Sequence, residues 1–298
     1  MATSGGLIIN ADDLGIHPQI NAGIVEAFER GILTSTTMLL TTPFLEETVR
    51  AVVRAGRLPV GIHLSLTLGR SVARPEDIPD LVDADGNLKL SAAKLLLLGS
   101  PEGARRALYD QIRKEFDAQL ARARHHHIPV THVDSHQHVH MNPHIFAIVE
   151  EVAETHGVKR VRVCREPFFA FELTTGLLGN VRRVNPAKLA LLTLRRQRIQ
   201  PRLLSTDRFF GTMYSGHISR SAFVKVVDHV TRSGGVWEIG LHPGHPAPAG
   251  TRVYPQPGYN AFITSPSRQH ECRLLTDPEV RALVATRGLR LMSFADLA

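Results

Sequence analysis

Short runs of aliphatic and β-branched residues recur along the chain, and longer stretches between them return an apolar residue every three or four positions. The first rhythm is that of buried strands, the second that of amphipathic helices. Strands are predicted at Leu7 to Ala11, Thr36 to Leu40, Val60 to Leu64, His132 to Asp134, Lys159 to Val163, Arg208 to Phe210, Val236 to Leu241 and Leu289 to Met292. Helices are predicted at Pro18 to Arg30, Phe44 to Ala55, Pro101 to Arg124, Pro143 to His156, Ser219 to Ser233 and Asp277 to Arg287. Ser100-Pro101, Asn142-Pro143 and Asp277-Pro278 each set a capping residue before a proline suited to the first helical turn. This alternation implies a parallel α/β fold.

Two segments interrupt the rhythm, near 70–100 and 167–205. In a (β/α) barrel such insertions sit on the loops that build the active site. No linker-like tract divides the chain, and no glycine-rich phosphate loop follows the first strand, which disfavours an open dinucleotide-binding sheet. The reading is one α/β domain over residues 1–298, (β/α) barrel-like, with distorted or incomplete TIM-barrel arrangements included.

Composition narrows the partners. Hydrophobic residues make up 43% of the 298, enough for a large core, and no apolar run has the length of a membrane span. The start lacks the basic and apolar regions of a signal peptide, so a cytoplasmic protein is expected. Its two cysteines, Cys164 and Cys272, form no metal or disulfide motif. The formal charge of +7 is carried mostly by arginine. Arginines mix with leucines from Arg182 to Arg208, which a solvated helix face or a peripheral membrane-contacting surface would each explain. Nucleic acid is disfavoured because aromatics are few and no basic patch is interleaved with them.

The chemistry-bearing residues fall at the C-terminal ends of predicted strands. Asp12 and Asp13 end the first strand, His63 the third and His242 the seventh, while "HVDSHQHVHM" (His132 to Met141) ends the fourth. Those ends converge on one rim of a parallel barrel. Within the histidine run, an extended backbone would put His136, His138 and His140 on one face, and a helical one would pair His136 with His140. One carboxylate with two imidazoles and an open position is a usual hydrolytic metal site and favours zinc, whereas an all-oxygen magnesium or calcium site needs more carboxylates. His125 to His127 close a helix, where cationic side chains suit the dipole, and receive no chemical role.

"IINADDLG", "TSTTMLL", "GIHLSLTLG", "THVDSHQHVHM" and "GLHPG", in this order across most of the chain, resemble the YdjC-like (ChbG) carbohydrate deacetylase family. "RVCREPF" and the arginine-rich segment look like its hopanoid-biosynthesis branch, HpnK. The resemblance implies a barrel-like fold and removal of acetyl from an N-acetylated amino sugar, an N-acetylglucosaminyl group on a hopanoid lipid in that branch. It implies one divalent ion, zinc first, with magnesium or another transition metal as alternatives. Asp13, His63 and His136 would hold the ion, Asp12 would be the base and His242 the acid, with the two aspartate roles open to exchange. His138 and His140 would hold substrate or support the ligands. Arg165 and Glu166 are added as substrate contacts on the rim, and Tyr259 as a cover for the pocket. Leu14 stands where relatives commonly have Phe and Gln137 where some have His, which touches pocket shape only. Two other readings use the same residues: a metal-dependent hydrolase of another amide or of a phosphoester, and a non-enzymatic glycan- or lipid-binding barrel.

Overall fold

The computed structural model describes residues 5–167 and 186–298. Its strands are β1 (Gly6–Leu14), β2 (Ser35–Met38), β3 (Val60–Leu64), β4 (Val130–Ser135), β5 (Arg208–Phe210), β6 (Val236–Leu241) and β7 (Arg290–Met292). The helices are α1 (Pro18–Arg30), α2 (Leu45–Ala55), α3 (Ala92–Leu97), α4 (Arg105–His125), α5 (Pro143–Thr155), α6 (Pro186–Arg196), α7 (Arg220–Ser233), α8 (Pro257–Ile263), α9 (Pro266–Thr276) and α10 (Pro278–Thr286). Every strand pairing is parallel, in the order β4-β3-β2-β1-β6-β5, with β7 also beside β1. β1 is buried along its whole length, which explains why its Leu7-Ile8-Ile9 run is apolar without alternation.

The sheet curls into a barrel-like shape. β4 and β6 stand four strand spacings apart in the sheet order, which on a flat sheet would be about 19 Å at ~4.8 Å each. Asp134 of β4 and Glu238 of β6 nevertheless both bond the guanidinium of Arg162. The predicted strand Lys159 to Val163 is a correction: it is an extended segment without a ladder. It makes one parallel bridge to β4, Val133 with Val161, and one to the chain before β5, Arg160 with Leu204. Phe209 then donates to the Arg165 carbonyl, so backbone hydrogen bonds cross the gap between β4 and β5.

The two barrel ends differ. At the N-terminal end of the strands, β7 fills the edge of β1 that β2 leaves free, and Ile8 packs with Met292, Phe294 and Leu297. The His132 ring stacks on Phe294 at 3.7 Å. A Cβ on Gly61 would lie 2.3 Å from that ring, so position 61 must be glycine. Chemistry is left to the other end.

Asn142 and Asp277 cap α5 and α10 as expected, their side chains accepting from His144 and Glu279 backbone amides. Ser100-Pro101 does not start a helix: Gly103 turns left-handed at φ +53, and α4 begins at Arg105. The 70–100 segment runs between β3 and α4 and carries α3. Its Val72 and Ala73 amides donate to the buried Glu115 carboxylate of α4. Of the 167–205 insertion, 168–185 lie outside the described residues, as do Arg182 and Arg183 of the basic segment. Leu189 and Leu192 of α6 point into the core, so they form no membrane-facing wall, whereas Leu194 is 61% exposed. Among the described residues no helix is long and apolar enough to cross a membrane.

Candidate active site

At the end of β1 the pairing with β2 slips between Ala11 and Leu14, and Asp13 adopts φ +71. That left-handed conformation is uncommon for a residue other than glycine. It parts the two neighbouring carboxylates, and each enters a different set of contacts.

Asp12 takes both arms of the Arg162 fork, at 2.9 and 2.7 Å, with Asn10 Nδ2 donating at 2.8 Å. Burial alone would raise its pKa, but the guanidinium and the nearby histidines outweigh it and hold the carboxyl well below the usual range. Arg162 also bonds Asp134 and Glu238, so one buried cation serves acids from β1, β4 and β6. Glu238 is the least compensated: one oxygen has no partner, and burial pushes its pKa up to about 7 against the pull of Arg162.

Asp13 faces the imidazoles. Its Oδ1 lies 3.1 Å from His136 Nδ1 and 3.6 Å from His63 Nε2, and its Oδ2 accepts from Arg268 of α9 at 2.8 Å. Burial opposes its ionisation, but His136 and Arg268 hold the carboxyl well below its ordinary value. His63 Nδ1 is 2.7 Å from Asp134, which orients the ring and leaves Nε2 toward Asp13. Burial works against a charge on His63, yet Asp134, Asp12 and Asp13 raise its pKa to about 9. His136 Nε2 is buried without a partner.

Ligating atoms of Asp13, His63 and His136 lie within 4.8 Å of one another, as do those of Asp12, His63 and Asp134. The two acids of the second set are already engaged by Arg162. The first keeps a carboxylate oxygen, Asp13 Oδ1, that faces only the two imidazoles, an imidazole oriented by a carboxylate and an unpartnered ring nitrogen, a donor set that fits a divalent transition ion.

Above these residues opens a cavity of about 580 Å³. Asp12, His63, His136, His138 and His242 line it, with Lys89, Lys188, Tyr259 and Phe262 around them. His242 follows β6, its amide donates to Glu271 at 2.6 Å, and its Nδ1 is buried without a partner. Burial lowers its pKa to about 4, against the pull of Asp13 and Asp12, so a proton placed there is held weakly. Tyr259 lines the cavity, its hydroxyl donating to Thr67 O at 3.2 Å and its ring 5.5 Å from His136.

Residues 6–286 match the YdjC-like protein family. The chain belongs to the YdjC-like family. It is 31% identical to a carbohydrate deacetylase of Geobacillus stearothermophilus over 97% of this chain and 96% of that one. It is 29% identical to a chitooligosaccharide deacetylase of Yersinia pestis, covering 97% and 98%. A solved structure from Enterococcus faecalis V583, described as a cellobiose-phosphate cleavage protein, aligns with TM-score 0.71 and 25% identity over 98% of both chains.

The YdjC-like histidine run follows neither expected geometry. Gln137 and His138 take φ of 58° and 59°, so three closely spaced histidines point to three places. His136 meets Asp13. His138 lines the cavity against Phe209 with its Nδ1 unpartnered. His140 is buried between Ser135 Oγ, 2.6 Å away, and the Arg162 carbonyl, 3.0 Å away, and does not reach the cavity. Of its two expected roles, substrate contact and support of the ligands, these contacts suit the second. The expected substrate contact is corrected to a structural one for Glu166, whose carboxylate accepts from the backbone amides of Gly211, Thr212 and Met213, and for Arg165, bonded to Ser205 and Thr206. Neither lines the cavity, and they do not pair with each other.

Sequence reasoning missed Arg162, Glu238, Arg268 and Lys188. A charge inside a buried strand needs a partner, and Glu238 within "VWEIGL" and Arg162 within "RVRVC" carried that signal. Arg268 and Lys188 sit on helices that the periodicity did not reveal.

Proposed function

We propose that this chain removes the acetyl group from an N-acetylated amino sugar, with Asp13, His63 and His136 holding one divalent ion, zinc in the first instance. The observation that carries the reading is the division of the paired aspartates: Asp13 faces two imidazoles, while Asp12 lines the cavity in the grip of Arg162. The deacetylase names of relatives matched over nearly their whole length support the same reaction class. When bound, such an ion polarises an amide carbonyl and acidifies water. Asp12, kept ionised by Arg162, takes the proton of the attacking water. His242, which also lines the cavity, gives a proton to the departing amine. His138, Lys188 and Tyr259 contact the sugar.

The resemblance to the hopanoid branch makes a lipid-carried N-acetylglucosaminyl group the proposed substrate. The apolar side of the cavity, with Leu90 and Phe262, supports a partly apolar occupant. Leu194 and the basic end of α6 are the proposed membrane contact, now without Leu189 and Leu192.

The test is acetate release by metal-stripped protein re-supplied with Zn²⁺, on an N-acetylglucosaminyl lipid and on a soluble chitooligosaccharide, beside His136→Ala. The expected outcome is zinc-dependent acetate that vanishes in the variant, with the lipid preferred. Acetate from neither substrate with any metal overturns the deacetylase reading, and equal rates on both overturn the lipid assignment.

A further inference from the structure

A second group of ligating side chains lies outside the cavity, behind the loop that carries His242. Glu26 of α1, His245 of that loop and Cys272 of α9 each offer a donor atom, all within 4.8 Å of one another. His245 Nε2 is 3.0 Å from Glu26 Oε2, and Arg30 engages only the other oxygen, at 3.5 Å. Cys272 is buried, its thiol donating to the Gly23 carbonyl at 3.5 Å. Glu26 and His245 are each 31% exposed, which opens the cluster to ions in solution.

The frame around the cluster is tight. A Cβ on Gly23 would lie 2.5 Å from Gly244 Cα, so α1 and the loop touch backbone to backbone. His245 N donates to Gln19 O at 3.2 Å and Gly244 N to Arg268 O at 3.1 Å, which fixes the loop between α1 and α9. The three donors therefore sit on elements already fixed to one another, which lowers the cost of organising a site.

We propose that Glu26, His245 and Cys272 form a second metal site, for a divalent transition ion of the zinc or cobalt class. Sulfur, imidazole and carboxylate together suit such ions and not magnesium or calcium. On binding, a sulfur–metal bond forms and the thiol proton leaves to solvent, with water completing the coordination. α9 also supplies Arg268 to Asp13 and Glu271 to the His242 amide. An ion here ties α9, which holds both groups, to α1 and to the loop that carries His242.

The test is titration of metal-stripped, reduced protein with Co²⁺, read by sulfur-to-cobalt charge-transfer absorption in the near ultraviolet. The cavity site has no thiol, so the band reports this cluster alone. The band is expected in the wild type, in His136→Ala and in Cys164→Ser, and is expected to be lost in Cys272→Ser. His245→Ala, changed at a partly exposed side chain, is expected to weaken the cobalt interaction by at least the roughly tenfold that loss of an outer-shell partner costs, and it decides the matter should Cys272→Ser fail to fold. A wild type without the band, a band that survives Cys272→Ser, or unchanged affinity in His245→Ala overturns the proposal.

Discussion

Three buried carboxylates, from Asp12, Asp134 and Glu238, converge on the buried Arg162 guanidinium, with Asp12 alone of the four reaching the cavity. Stripping one partner from a buried ion pair costs about 3–5 kcal/mol, because the charge left behind has neither water nor counter-charge. Arg162→Met leaves three such acids and is expected to prevent folding. Arg162→Lys keeps a charge but loses the planar fork that grips both Asp12 oxygens, since an ammonium is a point charge on a flexible stem. The lysine variant is expected to fold with a lowered Tm and to lose about tenfold or more in kcat, in the range of a misplaced general base. KM should change little, because Arg162 does not line the cavity. Steady-state kinetics beside a melting curve check this, and wild-type kcat in a folded Arg162→Lys would sink the positioning role.

The turn after β4 owes its function to two left-handed residues, Gln137 and His138. A β-branched side chain resists that conformation, with about 1–2 kcal/mol per residue at stake, whereas glycine accepts it freely. Gln137→Val is therefore expected to lower zinc affinity by displacing His136, and Gln137→Gly to retain it; calorimetric titration distinguishes the two. A second contrast concerns α6. Leu189→Ala should destabilise by about 2–5 kcal/mol as a core truncation, while Leu194→Ala, at an exposed position, should stay within about 0.5 kcal/mol. Equal effects in urea titrations would contradict the packing of α6. These elements also mark what the sequence made legible. The strand ends carrying Asp12, Asp13, His63, His136 and His242 were readable, because continuous apolar runs announce buried parallel strands and polar residues at their ends stand out. The 136–141 turn was not, because its geometry comes from backbone signs that side-chain periodicity does not encode. α9 and α6 were hidden because loop-like and basic segments masked their apolar faces. Arg165 and Glu166 looked like rim residues until the loop at 211–213 supplied the amides that occupy Glu166.

At the scale of the whole molecule, the barrel separates a reactive end from a packed end, and buried histidines at both ends, His132 at the packed one and His140 and His242 at the other, shape the response to acid. His132 is buried against Phe294 with its Nε2 unpartnered, and burial lowers its pKa from 6.5 to about 3. Between these values the unfolded chain binds a proton there and the native chain does not. Stability therefore rises with pH across that window, and falls by up to about 1.4 kcal/mol per pH unit from this residue as the medium is acidified. Glu238 and Glu271, each raised by burial to about 7, slope the other way between their ordinary value and 7, since there the native state holds the extra protons. The wild-type curve is a sum of these, so the His132 contribution is read by difference. His132→Phe keeps a ring against Phe294 and removes the titrating group. Its stability, measured by urea titration from pH 6.5 down to pH 4.5, is expected to fall less steeply than that of the wild type. Parallel curves would mean that the acid response does not originate in His132, and the charged network around Arg162 at the reactive end would take its place.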